Sequence, residues 1–267
     1  MPDPRRWLGV AVLACAVPAA ADLAEVKSRG ALRVLVMGVR NGDEFFAPPG
    51  AHPGFDREVL EGFANLHRVR LDVVPVASWD ALVPELLAGK GDLVAGRFTV
   101  TESRKKLIAF TGEVFPTRNV VLTRRPHRVV RTVAELREEK VGTVKGTSLA
   151  EAVAAAGVPA GNVDSSVPSG TLPEALKSGQ VGAVVIGVEN AISAQRADPA
   201  LQLGLFLGPP TSLAYGVRKS DTELLKALDE YVENLRRTPT WSRLVVKYFG
   251  EMAPEVLKKA RTESPSP

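Results

Sequence analysis

Cysteine is nearly absent: the 267 residues hold one, Cys15. It falls in an apolar N-terminal run, so a chain cut behind that run has no thiol and no disulfide. Histidine is scarce as well. His52, His67 and His127 are scattered, and with no mature cysteine beside them no metal cluster is suggested; neither a metal nor an organic cofactor is expected. Beyond residue 21 there is no apolar stretch near the roughly 18 residues that a membrane-spanning helix needs. No basic run exceeds three residues, and 34 Lys and Arg are dispersed among 30 Asp and Glu. The net charge of +4 therefore reads as a solvated surface rather than a nucleic-acid footprint. A Gly-x-Ser-x-Gly elbow and a dinucleotide fingerprint after a strand are both missing, which removes two common routes to enzymatic function.

What is present is an ordinary globular composition, 45% hydrophobic and 24% charged, enough for a sizeable core in one or two domains. Residues 1–21 stand apart. Arg5 and Arg6 precede an apolar run over 7–17 and a small-residue exit, Pro18-Ala19-Ala20-Ala21. This is the pattern of a secretory signal peptide cleaved after Ala21, which places the mature protein in the periplasm. Val12-Leu13-Ala14-Cys15 partly resembles a lipoprotein cleavage box, with Leu13 a poor fit, so lipid anchoring at Cys15 stands as the weaker alternative.

The remainder alternates between strand and helix patterns. Residues 32–39 read as a first strand, 55–66 as a helix with Val59, Leu60 and Phe63 on one face, and 69–76 as a second strand. Asp56 is placed to cap the start of that helix. A helix over 80–88 ends at Gly89, and 93–95 is the next strand. From 120 onward the same rhythm resumes, closing with a long helix over 221–236 and another over 241–248. Such alternation predicts an α/β fold of mostly parallel sheets flanked by helices. The last residues, 262–267, read as a disordered tail.

Residues 89–111 hold the strongest chemical signal. A short apolar strand breaks at Gly96 into a hydroxyl-rich turn that delivers Thr99 and Thr101, then Arg104 one helical turn on. Arginine holds a carboxylate through two parallel N–H bonds, and a neighbouring hydroxyl fixes its rotation. Open α/β sheets keep their ligand sites at such strand ends. Thr147 and Ser148 lie where a second strand turns into a helix, so hydroxyls and free amides point at one spot, suited to an anion or to a plain N-cap. The order Lys145-Gly146-Thr147 is wrong for a nucleotide-binding loop.

The ordered set of motifs resembles the bacterial extracytoplasmic solute-binding proteins of the amino-acid-binding family. It comprises Gly54 to Ala64, Trp79 to Leu87, Gly89 to Thr111, Val141 to Ser148, Ala214 to Lys219 and Trp241 to Phe249. The resemblance spans about residues 30–250. It implies two lobes that close on a ligand about a two-strand hinge: lobe one over 30–117 plus 212–250, lobe two over 118–211, and a tail over 251–267. It implies a monomer that takes a small carboxylate-bearing ligand and hands it to an ABC-type membrane permease. Arg104 would take the carboxylate with help from Thr99 and Gly96, and Thr147 and Ser148 would contact it from lobe two. Trp79 and Phe46 would form apolar walls, with core packing an equal alternative for Phe46. Two other readings stay open. One is a periplasmic dehydratase of the cyclohexadienyl type with Glu189 as its acid; the other is an accessory module like the binding unit of membrane-bound lytic transglycosylases.

The chain also departs from the family pattern. The Asp that pairs with a ligand's ammonium in amino-acid binders falls here on Gly187, with Glu189 two residues on, and Arg97 occupies a position that is commonly small or hydroxylic. An added cation and a missing anion would disfavour an ammonium, pointing to an organic anion or an atypical amino acid. The alternative is that Arg97 faces solvent and Glu189 takes the ammonium.

Overall fold

The computed structural model describes residues 22–39, 43–50 and 52–262. The expected signal peptide, Cys15 and the final residues 263–267 lie outside these. The chain begins with α1 (Leu23–Arg29), β1 (Ala31–Met37), α2 (Phe55–Leu66), β2 (Arg70–Val76), α3 (Leu82–Leu87), β3 (Leu93–Val94), α4 (Glu102–Leu107) and β4 (Ala109–Phe110). A long strand, β5 (Phe115–Arg124), leads into α5 (Val133–Glu138), β6 (Val141–Gly142), α6 (Ser148–Ala155), β7 (Val163–Asp164), α7 (Leu172–Lys177), β8 (Ala183–Gly187) and α8 (Val188–Ala197). The return strand β9 (Leu201–Leu213) is followed by β10 (Gly216–Val217), α9 (Thr222–Arg237), α10 (Pro239–Phe249) and α11 (Ala253–Thr262).

Two five-stranded sheets result, ordered β2-β1-β3-β10-β4 and β7-β6-β8-β5-β9. In each, the first two ladders are parallel, as strand–helix–strand units require. The other two ladders are antiparallel, because β10 in one sheet and β5 in the other each run against both of their neighbours. The fold is therefore α/β and two-lobed, with mixed sheets in place of mostly parallel ones. β5 and β9 pair from Phe115 and Leu213 to Arg124 and Leu201. Phe115 and Leu213 belong to the first core, while Val120, Leu122 and Leu201 belong to the second. These two strands thus tie the lobes together.

Helix α2 shows how the core forms. Val59, Leu60 and Phe63 recur on one face and are buried. Phe55, Phe45, Phe115 and Phe249 meet edge-on or tilted, with ring centroids 4.9–6.1 Å apart. Each such ring contributes roughly 1.5–3 kcal/mol through burial. Residues 251–262, read from sequence as tail, contain α11. Its Ala253, Leu257 and Ala260 form a narrow apolar stripe at spacings of four and three, buried in the first core. The surrounding Lys and Glu residues mask that stripe in the sequence. No helix among the described residues is long and apolar enough to cross a membrane.

Candidate functional site

A cavity of about 690 Å³ lies between the lobes. Its first wall is built on a buried carboxylate. Asp56 does not cap α2, whose N-cap is Gly54. Its side chain points inward and accepts the amides of Gly96 (3.0 Å) and Arg97 (3.2 Å) and the hydroxyl of Tyr215 (3.2 Å). Gly96 and Arg97 both adopt left-handed backbone, with φ of 83° and 63°. That conformation is costly for Arg97, and two amides converging on one carboxylate oxygen hold it in place. Burial pushes the Asp56 carboxyl up to about 6, against the opposing pull of these hydrogen bonds and the Arg97 charge. Gly96 itself, expected to touch ligand, is buried behind the turn and does not line the cavity, because its amide is committed to Asp56.

The anchored turn positions Thr99 and Arg104, which both line the cavity. Thr101 caps α4 by accepting the Arg104 amide (3.3 Å). The Arg104 guanidinium donates to the Thr99 carbonyl at 2.7 Å and lies over the Phe98 ring, 4.2 Å from its centroid. No carboxylate pairs with it among the described residues. Burial lowers its pKa to about 10, although Glu151 and Asp80 pull the other way. An arginine oriented by a backbone oxygen and an aromatic face, yet left without a counter-ion, suits an anionic guest.

The second wall comes from the other lobe. Thr147 and Ser148 line the cavity. Thr147 caps α6, accepting from the Ala150 amide, and its hydroxyl donates to the Val144 carbonyl at 2.6 Å, so that hydroxyl is already engaged. Ser148 Oγ donates across the cleft to Thr99 Oγ1 at 3.1 Å. Trp79 Nε1 likewise reaches Ser169 Oγ at 3.3 Å, and Ser103 reaches Glu151 at 3.2 Å. Trp79 also lines the cavity, with its ring packed beside the second core. These contacts from both halves describe a closed cleft.

Phe46, expected as a wall, is instead 2% exposed in the first core and absent from the lining. Asp43 accounts for this. Its Oδ1 accepts the Phe45 and Phe46 amides at 2.9 and 2.8 Å, turning both rings inward. Its Oδ2 pairs with Arg97 Nη2 at 2.7 Å, and Arg97 Nη1 reaches Asn190 Oδ1 at 3.3 Å. Arg97 therefore lines the cavity as a neutralised cation bridging the lobes, neither free for an anion nor turned to solvent.

Glu189, second residue of α8, is 3% exposed and lines the same cavity. Thr117 Oγ1 donates to its carboxyl over a short contact, and Asn190 Nδ2 donates at 3.3 Å. Burial raises its pKa, and the nearby Glu44 charge adds to that. Asp43, Glu44, Thr117 and Asn190 were not singled out in the sequence. The first two sit in a loop without periodicity, and the others gain meaning only where β5 and α8 cross.

The family model described as "Bacterial extracellular solute-binding proteins, family 3" matches residues 33–251. The chain is 27% identical over 182 residues to the histidine-binding periplasmic protein of Salmonella typhimurium, covering 64% of this chain and 69% of that one. It is 24% identical over 222 residues to the membrane-bound lytic murein transglycosylase F of Desulfosudis oleivorans, covering 81% of this chain. There it spans about half of the relative's length, 48%. Among solved structures, the arginine-bound form of truncated ArgBP from T. maritima superimposes with a TM-score of 0.70 at 28% identity, over 80% of this chain and 100% of that one.

Proposed function

Because the chain belongs to the family 3 bacterial extracellular solute-binding proteins, we propose that it captures a small amino acid between its lobes in the periplasm. As a monomer it would present the closed, loaded form to an ABC-type membrane permease. The observation that carries this reading is the Arg104 guanidinium, half-buried in the interlobe cavity, oriented by Thr99 and Phe98, and without a carboxylate partner among the described residues. A ligand carboxylate supplies the missing charge, with Ser148 and the α6 amides approaching from the other lobe. Contacts from both lobes stabilise the closed state, so ligand shifts the population towards it.

The test is titration calorimetry with L-histidine and L-arginine, the amino acids named for the relatives. Arg104→Ala is expected to weaken binding by about 100-fold, the size usual for one partner of a buried charge pair. Its melting temperature should stay near that of the parent, since the Arg104 side chain holds only the Thr99 carbonyl and the Phe98 face, and its backbone bonds survive the substitution. Unchanged affinity would remove Arg104 from the site.

A second reading is an accessory module for a cell-wall enzyme, favoured by the likeness to transglycosylase F. Muropeptides that raise the melting temperature where amino acids do not would select it, since ligand binding stabilises by mass action.

A further inference from the structure

We infer that the ligand cavity continues into lobe two as a second subsite, an arm between α7 and α8. This arm takes the preceding residues of a short linear peptide whose C-terminal carboxylate lies at Arg104. The inference rests on the proposed reading of Arg104 and extends the guest beyond a single amino acid.

The lining of the cavity traces the arm. Helices α7 and α8 cover the same face of the second sheet, since Leu172, Ala175 and Leu176 of the one and Ala191 of the other share a core with Val184 and Ile186 of β8. The adjoining face of α8 carries Asn190, Ser193, Ala194 and Ala197 at helical spacings of three and four, and all four line the cavity. Leu172 and Pro173, at the start of α7, line it from across the gap, and Ile186 lines it from the sheet. From Asn190 to Ala197 the helix rises about 10 Å, at roughly 1.5 Å per residue. Extended peptide advances about 3.4 Å per residue, so the arm is long enough for roughly two or three residues beyond the cleft.

Its polar groups suit a peptide bond better than an alkyl chain. Ser193 Oγ is buried and has no hydrogen-bond partner among the described residues. Asn119, on β5, also lines the cavity, and its side-chain amide makes no hydrogen bond among the described residues. A buried peptide group brings one donor and one acceptor, and both need partners. A hydroxyl and a carboxamide supply them, whereas an alkyl chain would leave Ser193 and Asn119 unsatisfied at a cost in affinity. The apolar surfaces of Leu172, Ile186 and Ala194 are placed for the side chains of the guest. Past Ala197 the arm reaches solvent at a rim of both signs, with exposed Glu174 and Lys177 from α7 and the Arg124–Asp198 pair at 2.8 Å. An open end of mixed charge accepts the amino terminus of a peptide without fixing its length.

The test is titration calorimetry of the full mature chain with L-arginine and L-histidine, with L-alanyl-L-arginine and L-alanyl-L-histidine, and with N-octanoyl-L-arginine. At least one dipeptide should bind about 10-fold more tightly than its parent amino acid. Ala194→Leu, which fills the arm, should bring the two affinities to within about 2-fold of each other. Ser193→Ala should lower their ratio by about 3-fold, the scale of one hydrogen bond. Circular dichroism melts establish that each variant folds. If the amino acids bind and neither dipeptide binds more tightly, or if the dipeptide gain survives Ala194→Leu undiminished, the arm is overturned and the Arg104 reading stands. A gain for the octanoyl conjugate without one for the dipeptides overturns the peptide assignment. If no compound binds the parent, the ligand reading fails and this inference fails with it.

Discussion

The Asp56 carboxylate, on α2, accepts the backbone amide of Gly96 at 3.0 Å, across 40 residues of chain. The contact joins an otherwise ordinary amphipathic helix to the turn that carries Thr99 and Arg104. A buried acid thus shapes the site without lining the cavity.

This acid has a pH signature. Its folded pKa, about 6, lies above the ordinary 3.8, so the native state holds its proton more tightly than the unfolded chain. The stability it contributes is fully present below pH 3.8 and is lost as pH rises through 6. The window corresponds to about 3 kcal/mol, at roughly 1.4 kcal/mol per pKa unit. Urea denaturation at pH 4 and pH 7 should show the parent losing about that much relative to Asp56→Asn; parallel pH profiles would refute the assignment.

Asp22, the first residue behind the expected cleavage point, serves two helices. Its Oδ1 accepts the Leu23 amide at 2.8 Å at the start of α1 and the Leu224 amide at 2.9 Å in the first turn of α9. Asp22→Ala removes both bonds and should cost about 1–2 kcal/mol in chemical denaturation. Asp22→Asn should recover most of it. A loss equal for both variants would point to charge rather than capping.

Gly146 marks where the lobes touch. It has φ of 75°, and a Cβ there would fall 2.2 Å from Asp80 Oδ1 of the opposite lobe. Gly146→Ala should therefore oppose closure, weakening amino-acid binding by about 10-fold if the displaced contact costs about 1.4 kcal/mol. Small-angle scattering of the variant with saturating ligand should give a larger radius of gyration than the parent. An identical radius and affinity would mean that Asp80 moves aside freely.

Helix α11 lies beyond the 33–251 family match yet closes the first core. Leu257 is 3% exposed there, and the buried Arg118 of β5 donates to the α11 carbonyl of Ala260 at 3.2 Å. Leu257→Ala should cost about 2–5 kcal/mol, as for other buried Leu truncations. A cost near zero by thermal or urea melting would make α11 an appendage.

Much of the site could be read from residues that act within one turn of chain. Thr101 and Thr147 cap the helices they precede, as hydroxyl side chains at such positions do. Thr99, Arg104, Trp79, Ser148, Arg97 and Glu189 all line the same cavity. Asp56 and Phe46 were misplaced. Both have local patterns that fit a cap and a wall equally well as an inward position. Asp56 was turned inward by partners remote in sequence, Gly96 and Tyr215, and Phe46 by Asp43, three residues before it in a loop without periodicity.

Sequence alone determined the alternating strand and helix pattern, the Thr147 cap, and the order of motifs that distinguishes this family, because each depends on periodicity or on neighbours a few residues apart. Tertiary structure decided which charges are spent and which are free. Arg97 is neutralised by Asp43, Glu189 fills the space above Gly187, and Arg104 has no counter-ion among the described residues. Electrostatic balance in a cleft depends on distances across two lobes, and the linear order of residues does not encode those distances.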